Sequence, residues 1–476
     1  MTRSLPPFRW SRWWAASRWC RSSSPVTSGR TFPSPSCCGG RPALRFPWLE
    51  PSLMRSGKAG SGRRGHPHSD CGLMRIAIYD NLPPGGAKRT AFEFGRQLAQ
   101  RHQVDLYRLN TTSRHAYDLA SVTARVYEYR YSPFFGLLDH RLAGGHLAPR
   151  SATMFGPLRR LHRRIARDLV DRGYNAVLAH TDAMTQSPYL LRWLGQRGLY
   201  YCHDVLRIGR EETVKNLHRD ELRDSPPPIG TLRLLEDGLV TRRWLAADRR
   251  TVRAAGGLAV NSIYTREQTW AAYGREAVVC HPGVDVNRFT PADRDEPRDS
   301  EVLSIGSPLS IKGHDLVIRA LALITPAGSR PRLRLVASAD RGLEALQALA
   351  DRLGVQLHPD IAIDEETLVS RYRTALATVC AARLEPFGLT PLESMACGTP
   401  VVAIREAGFR DSVIDGETGL LVEPRADELA SAISRLASAP ALAQELGRRG
   451  REVVLDRWTW ERRTPALEAA LLAVTA

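Results

Sequence analysis

Strand-like runs alternate with helical stretches through almost all of the chain after residue 73, and no other feature limits the possible folds so tightly. Residues 75–79, 104–109, 175–180, 199–202, 257–261 and 277–281 are short, apolar runs and read as strands. Helical spacing separates them at 87–101, 231–254 and 265–273. Residues 291–300, made of charged residues with two prolines, one alanine and one serine, break the pattern and read as a linker. The alternation then restarts, with strands at 301–305, 332–337, 376–380 and 400–404 and helices at 314–324, 341–353 and 391–397. Parallel neighbours can be joined only by a crossover, so alternation of this kind implies parallel sheets covered by helices. The expected fold class is therefore α/β, with one unit over 74–290 and a second over 301–455. A cleft between them would be lined by the carboxyl ends of the strands, where ligands usually bind.

The formal charge of +17 suggests a nucleic-acid binder until it is located. Residues 1–73 hold eleven arginines and one lysine against Glu50 and Asp70, a net of +10, which leaves +7 for everything after them. That leader is rich in Ser, Pro, Arg and Gly, has no helical or strand period, and is expected to be disordered. It reads either as an Arg- and Ser-rich transit peptide or as upstream sequence before a natural start at Met74. No apolar run approaches the roughly 18 residues of a membrane span. Cys202, Cys280, Cys380 and Cys397 are far apart, form no CxxC pair, and read as reduced core thiols of a cytoplasmic protein.

Common nucleotide signatures are missing. No GxGxxG follows the first strand, and in the segment from Gly306 to Gly313 the lysine, Lys312, precedes its glycine, the reverse of a Walker A loop. No metal cluster is evident, and neither a metal nor a cofactor is expected. The most informative window runs from Cys380 to Val402, where a strand leads through a loop carrying Glu385 and Gly388 into a helix. Thr390 is the expected N-cap, Pro391 the first helical residue and Gly398 the stop. Free amides at such a helix start form a site for a phosphate. Glu385 and Glu393 then lie at the cleft, where carboxylates can accept hydrogen bonds from sugar or ribose hydroxyls. For Glu393 a second reading is open: Thr390-Pro-Leu-Glu393 is also a capping box.

The spacing from Glu385 to Glu393 resembles the E-x7-E motif of retaining glycosyltransferases with the GT-B fold, two Rossmann-like domains facing across a cleft. The wider string through Pro400-Val-Val and Gly416-Glu-Thr-Gly419 is similar to glycosyltransferase family 4. Other segments agree in order: Pro84-Gly85-Gly86-Ala-Lys-Arg89, His203-Asp204, Val260-Asn-Ser262, His281-Pro-Gly283-Val-Asp285, and Lys312-Gly313. The resemblance implies an N-terminal acceptor domain, a C-terminal nucleotide-sugar domain, and a last helix, within 456–476, that crosses back to the first.

It also implies roles. Glu393 would hold the ribose hydroxyls, Glu385 hydroxyls of the donor sugar, and the backbone of Phe387, Gly388, Leu389 and Thr390 the diphosphate and sugar. Lys312 would neutralise the diphosphate as the leaving group gains charge, so that no metal is needed. Gly85 and Gly86 would let the backbone approach the diphosphate from the opposite domain, and His203 would contact the donor sugar near the reacting carbon. Ser307 departs from the pattern: family members commonly carry arginine there, so either diphosphate affinity is weaker or another arginine, for instance Arg383 or Arg405, compensates.

The donor is thus expected to be a nucleotide diphosphate sugar, and the acceptor an unknown glycan, lipid or small molecule. Residues 158–169 place Leu158, Leu161, Ile165 and Leu169 on one helical face with five arginines elsewhere. This reads either as a helix packed on the sheet or as a peripheral contact with anionic lipid at the inner face of the membrane, helped by Phe134 to Leu138. Two rival functions stay open: a nucleotide-sugar epimerase on the same fold, and nucleic-acid binding through the basic leader, which is not the expected reading.

Overall fold

In a computed structural model of the chain, the described residues are 72–112, 114, 117–131, 150–207, 229–292, 299–308 and 310–475. The expectations for residues 1–71, for Phe134 to Leu138 and for most of the linker fall outside them.

The first sheet has seven strands, β1 (Arg75–Asn81), β2 (Gln103–Leu109), β3 (Arg125–Tyr129), β4 (Ala176–Asp182), β5 (Gly198–Cys202), β6 (Gly257–Val260) and β7 (Val278–Val279). They lie in the order β3-β2-β1-β4-β5-β6-β7, every pair parallel. Its helices are α1 (Gly86–Ala99), α2 (Arg150–Asp171), α3 (Ile229–Ala254) and α4 (Ile263–Tyr273).

The second sheet has six parallel strands, β8 (Glu301–Ile305), β9 (Arg332–Ala337), β10 (Leu357–Ile361), β11 (Ala377–Cys380), β12 (Val401–Ile404) and β13 (Gly419–Val422), in the order β10-β9-β8-β11-β12-β13. Helices α5 (His314–Leu323), α6 (Leu343–Leu353), α7 (Glu365–Thr374), α8 (Leu389–Ala396), α9 (Ala426–Ser438) and α10 (Pro440–Arg457) accompany it, and α11 (Trp460–Ala473) ends the chain. Two parallel α/β sheets are the fold class expected from the alternation. The strands that the alternation did not reveal, β3, β10 and β13, all lie at sheet edges. β3 is largely solvent-facing and β10 contains Pro359, so neither shows the buried apolar run of a central strand.

Each sheet has a core on both faces. Leu158, Ile165 and Leu169 of α2 and Val252 of α3 pack with Tyr79, Tyr107 and Tyr200 on one face of the first sheet. On the other, Phe94 and Leu98 of α1 meet Trp460, Leu467 and Leu471 of α11. The last helix therefore leaves the second unit, whose core includes Trp458, and ends on the first. The switch occurs within two residues, where Val284 N donates to the Trp458 carbonyl at 2.8 Å.

Between α2 and the strand ends lies a buried polar chain. Tyr189 N donates to His162 Nδ1 at 3.0 Å, so that nitrogen is bare and Nε2–H faces Tyr79 Oη at 2.9 Å. Tyr79 in turn donates to Asp182 Oδ2 at 2.7 Å. Burial pushes the His162 imidazole down to about 4, which keeps it neutral.

The apolar stripe of α2 is thus spent on the sheet, while Arg159, Arg160, Arg163, Arg164 and Arg167 are exposed. Ile165→Ala should cost about 2–5 kcal/mol of unfolding free energy. Arg163→Ala should stay within about 0.5 kcal/mol. Urea titrations of the two variants check both.

Candidate active site

The order of each sheet reverses beside its first strand, between β1 and β4 in one unit and between β8 and β11 in the other. Ligands in open parallel sheets bind outside the carboxyl ends of strands at that point. The loops leaving β1, β8 and β11 carry Gly85-Gly86, Ser307 to Lys312, and Glu385 to Gly388. His203 follows β5 directly.

The two halves meet here. A Cβ added to Gly86 would lie 3.5 Å from Leu389 Cδ1 of the opposite unit, so the glycine loop runs against the start of α8. One turn into α1, Arg89 Nη1 donates to Glu393 Oε1 at 2.6 Å. The Arg89 guanidinium also sits 5.0 Å from the Phe289 ring and 5.5 Å from that of Tyr117. Burial works against its charge, but the Glu393 and Glu365 carboxylates outweigh it and raise its pKa. Further along the cleft, Ser262 Oγ donates to the Pro386 carbonyl, and Asp411 accepts from Ile263 N at 2.7 Å.

Glu393 is therefore no capping-box residue. Its second oxygen, Oε2, accepts from Tyr372 Oη at 2.7 Å, so both oxygens are engaged away from the backbone. The helix also begins earlier than expected, with Gly388 at its N-cap and no side chain capping it. Thr390 and Pro391 are the second and third helical residues. Gly388 has φ +83°, and a Cβ there would come within 2.7 Å of Phe409 Cε1, so glycine alone lets the loop turn into the helix. The uncapped amides of Leu389 and Thr390, at the positive end of the helix, remain available to an anion. The Phe387 ring is buried beside His281 and Trp458, so only its backbone faces the loop.

Across the β8 loop, Lys312 Nζ donates to Glu385 Oε2 at 2.8 Å. This brings together the two residues expected at the diphosphate and the sugar. Gly313 seats the lysine: with φ +71°, its missing Cβ would otherwise sit 2.1 Å from the Ala381 carbonyl oxygen. His314 holds the loop from below. The Ser307 carbonyl can only accept, so His314 Nε2 donates to it at 3.2 Å, and Nδ1 takes the Ser304 hydroxyl at 2.8 Å. Burial pushes His314 down to about 4. Neither arginine suggested as compensation for Ser307 is free: Arg383 pairs with Glu406 at 2.7 Å, and Arg405 with Asp415.

On the facing unit, His203 N donates to Thr181 Oγ1 at 3.1 Å, and Asn261 Nδ2 donates to the His203 carbonyl at 2.8 Å. Its ring meets that of His180, with His180 Nδ1 and His203 Nε2 3.0 Å apart. Tyr372 and His180 left no local mark in the sequence because each acts through a partner more than twenty positions away, and His314 left none because its bonds to Ser304 and Ser307 depend on how the β8 loop folds back. Arg89 is the exception, since it directly follows the glycine loop. Among the described residues no group of three or more His, Cys, Asp or Glu side chains is placed to hold a metal ion.

Two parallel α/β units, a glycine loop opposite an uncapped helix start and a Lys–Glu pair beside that start are the arrangement expected of the GT-B fold. Comparison with known proteins agrees: residues 84–288 match the Glycosyltransferase Family 4 model and residues 288–453 that of Glycosyl transferases group 1. The D-inositol 3-phosphate glycosyltransferase of Actinosynnema mirum is 35% identical over 306 residues, covering 58% of this chain and 68% of that protein. The GDP-mannose-dependent alpha-(1-6)-phosphatidylinositol monomannoside mannosyltransferase of Mycolicibacterium smegmatis is 31% identical, covering 56% of this chain and 71% of that one. Among solved structures, HepE of Anabaena in complex with UDP and glucose superposes with a TM-score of 0.60 at 19% identity, over 84% of this chain and 99% of that one. The chain belongs to glycosyltransferase family 4.

His162 and His314 give the fold a pH dependence of definite sign. Their folded pKa values near 4 lie below the roughly 6.5 of an unfolded histidine. Between those limits the unfolded chain binds protons that the folded one refuses. Their contribution is therefore undiminished above pH 6.5 and is lost as pH falls toward 4, by up to about 1.4 kcal/mol per pH unit for each histidine. Urea midpoints measured across that range should fall accordingly, and less steeply in His314→Gln.

Proposed function

We propose that the protein is a retaining, metal-independent glycosyltransferase that moves a hexosyl group from a nucleotide diphosphate sugar to a glycan, lipid or small-molecule acceptor. The observation that carries this reading is the Lys312–Glu385 pair beside the uncapped start of α8, opposite Gly85 and Gly86. An ammonium and two free amides suit a diphosphate whose charge grows as its bond to the sugar breaks. A carboxylate 2.8 Å from that ammonium suits the neighbouring sugar hydroxyls. Lys312 pairs with Glu385, and a diphosphate would compete with that carboxylate for the ammonium.

Glu393 takes the ribose diol. Tyr372 and Arg89 fix its orientation, and its unused lone pairs remain for two hydroxyl donors. Retention follows from attack on the face that the leaving group vacates: the acceptor oxygen bonds to the anomeric carbon, the bond to the diphosphate breaks, and the departing phosphate oxygen takes the acceptor's proton. By their names, the two relatives act on an inositol phosphate and on a phosphatidylinositol glycolipid, which supports a phosphorylated inositol or its lipid as acceptor class. A cytoplasmic site at the membrane's inner face accords with the exposed arginines of α2 and with Arg242, Arg243, Arg249, Arg250 and Arg253 of α3. Among the described residues no helix is long and apolar enough to cross a membrane.

A panel of UDP-, GDP- and ADP-sugars, followed by nucleotide diphosphate release, tests the reading. One donor should be turned over, with kcat/KM lowered at least about 100-fold by Lys312→Ala and by Glu385→Ala. Release unchanged in both variants would remove the site assignment, and an inverted linkage in the product by proton NMR would remove the retaining mechanism.

A further inference from the structure

His180 lies in β4 and His203 directly after β5, where these parallel strands pair with His180 opposite Tyr201. The two imidazoles are nearly stacked, with centroids 5.2 Å apart and planes 29° apart, and a single hydrogen bond of 3.0 Å joins His180 Nδ1 to His203 Nε2. The backbone of His203 is held on both sides by Thr181 and Asn261. The Tyr201 ring packs 5.5 Å from the first imidazole and 4.8 Å from the second. Neither ring can turn freely. Only one proton can occupy the bond between them, so the two tautomers are coupled.

Two arrangements are possible. Either His203 Nε2–H donates to His180, whose own proton then sits on Nε2, or His180 Nδ1–H donates to His203, whose own proton then sits on Nδ1. His180 is completely buried, and its Nε2 has no hydrogen-bond partner among the described residues. A buried N–H without an acceptor is among the rarest groups in folded proteins, whereas a bare lone pair is tolerated more readily. The unpartnered Nε2 therefore selects the second arrangement. Burial pushes His203 down to about 3 and His180 well below its ordinary value, so the pair carries no charge near neutral pH.

We propose that His180 is a positioning residue that fixes His203 as the Nδ1–H tautomer, so that His203 can offer the donor sugar only a hydrogen-bond donor and cannot act as a general base. The bearing on catalysis rests on the function proposed above and on the role that the family resemblance gives His203, contact with the donor sugar near the reacting carbon. With Nε2 filled by His180 and Nδ1 protonated, His203 has no lone pair left for the acceptor's proton. In the step proposed above, that proton goes to an oxygen of the leaving group. A positioned N–H can instead hold a sugar oxygen as charge shifts during bond cleavage.

The test combines a spectrum with kinetics. In the full-length protein labelled with 15N-histidine, two-bond 1H–15N correlations distinguish protonated from bare ring nitrogens, with His203→Asn and His180→Phe providing the assignments. The expected result is Nδ1 protonated and Nε2 bare on both His180 and His203. A protonated His203 Nε2 overturns the proposal. His180→Phe, which retains the ring but not the bond, should lower kcat roughly tenfold or more while the Kd for the nucleotide diphosphate alone changes less than about twofold. His180→Asn, whose amide can donate from near the position of Nδ1, should recover most of the loss. Unchanged kcat in His180→Phe also overturns the proposal. If no nucleotide sugar is turned over by the wild type, the glycosyl-transfer reading fails, and the wild-type spectrum still decides the tautomer.

Discussion

In a parallel sheet every connection must cross back before the next strand begins, so all carboxyl ends lie along one edge. That constraint arranges the rest of this protein. It sends the loops after β1 and β5 out of one edge of the first sheet, and those after β8 and β11 out of one edge of the second. Residues more than 300 positions apart, Arg89 and Glu393, can then meet within 2.6 Å. The glycines in these loops serve the same geometry. Gly313 and Gly388 take positive φ where a side chain would strike Ala381 or Phe409, and they deliver Lys312 and the start of α8 to the same place.

Contacts between the units include hydrogen bonds at the cleft and apolar burial at the chain's end. Arg89, Ser262 and Ile263 reach across to Glu393, Pro386 and Asp411 through hydrogen bonds, each of which a ligand or water could replace. The last helix buries Trp460, Leu467 and Leu471 in the first unit immediately after Trp458 is buried in the second. Apolar burial of that kind has no substitute in water. A durable tie at one end and exchangeable bonds at the other are what an enzyme needs if its cleft admits a donor while its halves stay in register.

Much of this was legible in advance, and the exceptions share a cause. Central strands showed because both of their faces are buried, so their residues read as apolar runs. The edge strands β3 and β10 lack that double burial and went unseen. Glu385, Lys312 and His203 were picked out by motif, and the first two are in contact. The helix starts from Gly388, although Thr-Pro-Leu-Glu is a sound local signal for a cap at Thr390. Tertiary partners overrode it, since a glycine with positive φ starts the helix early and Tyr372 and Arg89 claim the glutamate. The stripe of α2 could have faced lipid or protein, and period alone does not distinguish the two environments.

By itself, the sequence determined the α/β class, the division into two units, the family resemblance and the separation of a strongly basic leader from a more moderately charged remainder. These are properties of local pattern and spacing, and they need no knowledge of which residues meet. Only the tertiary structure decided that the apolar stripe of α2 is buried, that Lys312 rests on Glu385, that Arg89 bridges to Glu393 and that one hydrogen bond joins His180 to His203. Hydrogen-bond partners and tautomers depend on geometry at a scale of tenths of an ångström between groups far apart in the chain. No local period or motif encodes distances of that kind.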